Sequence, residues 1–203
     1  MVTTVKYSGN YGVKGSKAVA GEYLFSDTLT ATTTSGYAAR LVVRSSYLEF
    51  AYDYSFDKIY GYVSTGGTAA PNSGNAHLRL YLAGPNGEYP AIGDQPIWVS
   101  SAFAVTGAGA IDIALGTTIS ERRLHVTFHH DCGGGNPSLL LPSTVGNLRT
   151  QPTALSGGIP LATPTIVTGM TWTEASFLST NTWGNGTGYA TTTAGPACAL
   201  RTV

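Results

Sequence analysis

Nowhere in this chain do apolar residues recur at helical spacing for three turns without a glycine or proline interrupting the run. The 203 residues include 26 glycines and 10 prolines, scattered throughout, and the stretches between them are short and rich in Val, Thr, Tyr, Ile and Leu. Such punctuation restricts the chain to strands and turns. Period-two alternation is plainest in AHLRLYLAG, where Leu78, Leu80 and Leu82 face one way and His77, Arg79, Tyr81 and Ala83 the other, as in a half-buried strand. Pro85-Asn86-Gly87 then predicts a turn, because proline presets its φ and glycine accepts a positive one. In FDKIYGYVST, residues 56–65, Phe56, Lys58, Tyr60 and Tyr62 share one face, and Asp57, Ile59, Gly61 and Val63 the other. Further strands are expected within 39–54 and over 97–105, 109–115, 123–128, 137–142, 166–173 and 196–203.

Eight or more short strands in a chain of one-domain length predict an all-β fold. The expected architecture is an antiparallel β-sandwich, jelly-roll-like, with little or no helix. It should occupy residues 38–203, while residues 1–37 read either as an N-terminal arm docked on a neighbouring subunit or as first strands of the same sandwich.

Lys plus Arg and Asp plus Glu number 11 each, so the net charge is zero. Phosphate binding needs clustered positive charge, so nucleic acid is not an expected partner. Charged residues make up only 11%, against about 25% in average globular proteins. That scarcity suggests a hydroxyl- and amide-rich surface, or one covered by other subunits. No apolar run approaches the roughly 18 residues of a membrane span, and the N-terminus has no apolar signal region, so synthesis in a cytoplasm without export or membrane insertion is expected. Cys132 and Cys198 are the only cysteines; two free buried thiols are expected ahead of a single bridge.

The densest concentration of reactive side chains is RRLHVTFHHDCGGGNP, residues 122–137, with three of the four histidines. On a strand, Leu124, Val126 and Phe128 point to the core and His125, Thr127 and His129 to the other face. Histidines four residues apart on a strand are separated by roughly 13 Å, too far to share one ion. No metal is therefore expected, and the histidines should be solvent-exposed or at an interface, so that His129→Ala would leave folding intact. Cys132 beside His130 is a superficial dyad, Asp53 and Asp57 are too far apart on a strand for a retaining glycosidase pair, and no G-x-S-x-G elbow or phosphate-binding loop is present. No catalytic residues, cofactor or enzymatic activity are predicted.

Several segments resemble a pattern found in bacteriophage tail-fibre and other virion-associated β-modules. They are Phe56-Asp57-Lys58-Ile59, the small-residue loop 65–75, Leu78-Arg79-Leu80-Tyr81 with its Gly/Asn/Pro turn, GAIDIAL, and the closing GTGYATTTAGPACALRTV. The resemblance covers roughly residues 50–203. It departs at LHVTF, where the modules carry a Tyr-Trp-like core strand. It implies a non-enzymatic jelly-roll-like virion module, often trimeric, whose partners are other virion proteins and copies of itself. The function expected is that of a tail-fibre or spike module attaching to the host surface, with Trp172, Trp183 and Tyr189 as candidate glycan contacts. The alternative is a head decoration protein that cements the shell, and a carbohydrate-active enzyme ranks last.

Overall fold

The computed structural model describes residues 6–7, 18–25, 32–36, 40–50, 52–85, 88–142, 148–150, 169–177, 182–192, 195–196 and 198–203. These form two antiparallel sheets packed face to face as a β-sandwich, with no helix among the described residues and so none long and apolar enough to cross a membrane. The first sheet contains β1 (Lys6–Tyr7), β2 (Tyr23–Phe25), β3 (Thr32–Gly36), β5 (Phe56–Thr65), β9 (Gly109–Ile119), β11 (Ser138–Pro142), β12 (Leu148–Thr150) and β15 (Ala199–Thr202). The second contains β4 (Val42–Glu49), β6 (Asn75–Leu82), β7 (Trp98–Val99), β8 (Phe103–Ala104), β10 (Arg123–His130), β13 (Gly169–Thr173) and β14 (Thr187–Thr192). From β3 onward the chain crosses between sheets at most of its connections, the alternation of a jelly-roll-like sandwich.

The core lies between the sheets. Phe56, Ile59, Val63, Ile111 and Leu200 of the first sheet meet Leu48, Leu78, Leu80, Leu124, Val126 and Phe128 of the second. Both cysteines are buried and free. In the first 37 residues, β2 pairs with β12 and β15, and β3 pairs with β11.

Three strand expectations need correction. β5 does not alternate strictly: in its pairing with β15 the adjacent Arg201 and Thr202 face Lys58 and Phe56, leaving Asp57 as an extra residue, so Phe56 joins Ile59 and Val63 in the core. A bulge changes which face a residue takes. The segment 97–105 contains two short strands, both paired with β6, in place of one long one. Finally, β6 is buried on both faces up to Tyr81, and Leu82, expected in the core, is 46% exposed at the strand end. Asn86 and Gly87 of the predicted turn lie outside the described residues, although Gly84 N–H donates to the Glu88 carbonyl (3.0 Å) across it. Residues 166–168 of the strand expected before Gly169 likewise lie outside them.

Candidate functional site

The second sheet has a core face and an outer face, and the outer one holds most of the chemistry in the chain. Antiparallel register sets His77 opposite His129, Arg79 opposite Thr127, and Tyr81 opposite His125 on β6 and β10. β4 continues the layer with Tyr47 beside His125, and β13 adds Trp172 beside Val43. Residues 174–177 and 182–184 lie over this face, beginning with Glu174, whose N–H donates to the Leu41 carbonyl (3.0 Å). Leu41 holds that carbonyl in place with a left-handed backbone, φ 65°, which a leucine adopts at a cost of order 1 kcal/mol.

Arg79 donates from Nη1 to Glu174 Oε1 (2.6 Å) and from Nη2 to Oε2 (3.1 Å), with both side chains buried. Burial disfavours the guanidinium charge, but Glu174 outweighs it and raises the Arg79 pKa. His129 Nδ1 lies 3.3 Å from Arg79 Nη2 and 3.5 Å from Glu174 Oε2. Burial, followed by the Arg79 charge, pushes the His129 pKa down to about 3, so its ring is neutral near pH 7 and Nδ1 accepts from Arg79. His77 is also lowered, mainly by burial, and its Nδ1 faces the Ser100 carbonyl at 2.9 Å as a donor. Phe177 packs on both imidazoles, 4.8 Å from His77 and 5.2 Å from His129.

The aromatic end of the layer centres on Trp183. Its ring lies 5.1 Å from each of Tyr81, His125 and Trp172, and Tyr89 stacks at 6.2 Å. Its Nε1 donates to Tyr189 Oη (2.8 Å), and its backbone bonds both Asp94 and Gly93 (2.8 Å each). Gly184 follows at φ +60°, where an added Cβ would lie 2.7 Å from the Tyr189 ring. A glycine is therefore required for Trp183 to turn inward.

The three candidate glycan contacts thus come together in space, but the tryptophans point inward. Trp172 is 1% exposed and Trp183 0%, while Tyr189 is half-buried on β14. The expectation that the histidines of residues 122–137 are solvent-exposed or at an interface is overturned, since His125, His129 and His130 are all buried within the chain, as is His77. A second layer, supplied by residues distant in sequence, covers the face that alternation assigned to solvent. His130 and Cys132 form no nucleophilic dyad: His130 Nδ1 accepts from the Cys132 backbone N–H (3.2 Å), and burial raises the thiol pKa. Asp57 pairs with Arg201, whose hydrogen bonds hold the carboxyl pKa down, and Asp53 is exposed. Among the described residues no three His, Cys, Asp or Glu side chains are grouped to hold a metal.

The sequence placed Arg79 on the outer face but gave no sign of its partner. Glu174 is 95 residues away. The one available signal was an arginine inside an otherwise Leu/Tyr strand. Compared with known proteins, the chain matches no family model, no curated protein and no solved structure.

Proposed function

We propose that this chain is a non-enzymatic structural module of a bacteriophage-type virion, acting through protein contacts of its sandwich. The observation that carries this reading is the burial of the reactive side chains of the second sheet. His77, Arg79, His125, His129 and Glu174 are all nearly inaccessible, and Arg79 and Glu174 neutralise each other. Groups placed in this way consolidate a scaffold. The resemblance of residues 50–203 to tail-fibre and other virion modules supplies the setting. Attachment to the host surface remains the leading role, through loops and a protein receptor; glycan stacking would rest on Tyr189 in place of the two buried tryptophans. Head decoration is favoured by one observation, the exposed apolar side chains Leu82, Ile92 and Ile97, which suit a protein neighbour better than a sugar.

Immunogold electron microscopy with antibody against the isolated chain tests the proposal. Label at tail tips or fibres supports attachment, and label over the head supports decoration. Absence of label from every particle contradicts the virion reading.

A further inference from the structure

β9 is an eleven-residue strand that, among the described residues, pairs with β5 alone. It therefore forms a long edge of the first sheet, and open edges template further pairing unless something blunts them. The usual devices are missing from its first half, residues 109–114, which carry no lysine and no proline. Their one charge, Asp112, is already engaged by Lys58 Nζ (3.3 Å) and by the Tyr23 hydroxyl, which donates to it (3.1 Å). The second half is protected: residues 115–118 bulge opposite the single Asp57, with Gly116 at φ +69°.

Thr202 turns its backbone toward β2, its N–H donating to the Glu22 carbonyl (2.9 Å) and its own carbonyl accepting from the Gly21 N–H (2.8 Å), so Ala199 and Arg201 turn theirs toward Tyr60 and Lys58 of β5. By the same alternation Ile59 and Gly61 bond Ile113 and Ile111 of β9, so Ala110, Asp112 and Ala114 turn their N–H and C=O groups to the open flank.

We propose that β9 pairs antiparallel with β9 of a second copy of this chain, about a two-fold axis at Ile111. In that register Ile111 meets Ile111 of the other copy, Gly109 meets Ile113, and Ala110 meets Asp112. No like charges oppose each other, whereas centring on Asp112 would set two carboxylates face to face. The chain's zero net charge adds no long-range repulsion between copies. This deepens the assembly reading above by naming the self-contact, yet it is tested without a virion, so each can fail alone.

The test is sedimentation of the full chain at high micromolar concentration beside two variants at exposed Ala110. The wild type should run as a dimer of 42.2 kDa, twice the 21.1 kDa of one chain. Ala110→Glu, which sets a carboxylate against Asp112 of the partner, should be monomeric and melt where the wild type melts once diluted to monomer, and Ala110→Lys should stay dimeric. A wild-type monomer or trimer, or a dimer that survives Ala110→Glu, overturns the proposal. Should Ala110→Glu melt early, amide exchange at Ala110 and Asp112 of the wild type decides: protection that is lost on dilution supports the pairing, and fast exchange at every concentration overturns it.

Discussion

Glu174 grips the guanidinium of Arg79 with both carboxylate oxygens, at 2.6 and 3.1 Å, where neither side chain is more than 1% exposed. The pair fixes the segment after β13 onto the outer face of the second sheet. Removing one partner of a buried pair leaves the other charge stranded. Glu174→Ala should therefore cost about 3–5 kcal/mol in urea unfolding, whereas replacing both residues together (Arg79→Met, Glu174→Leu) should recover most of that loss. A single variant as stable as the wild type would show that the segment does not seal the face.

Stability should fall on mild acidification because of the histidines. His129 is depressed to about 3 by burial and then by Arg79, and His77 is lowered mainly by burial, so the unfolded chain takes up their protons first. Above pH ~6.5 both rings are neutral in both states and contribute no slope. Below it stability declines, by up to about 1.4 kcal/mol per pH unit for each such group, and for His129 this continues toward its folded value. His129→Phe should flatten the decline between pH 6.5 and 4.5 in urea midpoints, although its lost contacts lower stability at pH 7. A slope unchanged by the substitution would contradict the assignment.

These two sites mark the limit of what was legible in the sequence. The all-β sandwich followed from glycine and proline spacing and from the alternation of Leu78 and Leu80, because a core face imposes period two. The same alternation placed His129 in solvent, and it is buried, because one strand cannot reveal that Glu174, Phe177 and Trp183 return from far along the chain to cover it. The phase change at Phe56 was hidden for a related reason: a bulge is set by the pairing with β15 and not by β5 alone. Trp172, Trp183 and Tyr189, named from the sequence as glycan contacts, lie close together, but whether their rings faced in or out depended on the backbone at Gly184.

Trp183 should act as a packing anchor. Trp183→Ala should cost about 3–5 kcal/mol by opening a cavity among Tyr81, His125 and Trp172. Tyr189→Phe, which removes only the acceptor for the indole N–H, should cost about 1–3 kcal/mol. Thermal melts followed by tryptophan fluorescence check both, and a Trp183→Ala variant of wild-type stability would return that ring to the list of surface contacts.

Leu80, buried in the core, should not tolerate charge, and Leu80→Asp should abolish cooperative unfolding monitored by circular dichroism. A folded, cooperative variant would misplace β6.

Both thiols should be silent in the native protein. Cys198 is pushed up to about 12 by burial, and Cys132 is raised for the same reason. A thiol reagent should modify neither at pH 8 and both once denaturant is added, and rapid native labelling of either would contradict its burial.

The most direct test of the central claim, that the polar face of the second sheet is a sealed structural layer, is an NMR titration of the histidine rings. His129 should remain neutral on lowering the pH through 6.5, and His77 should take up its proton below the usual imidazole range. A ring of His129 that titrates reversibly near pH 6.5 in the folded protein would show an open face and contradict the account.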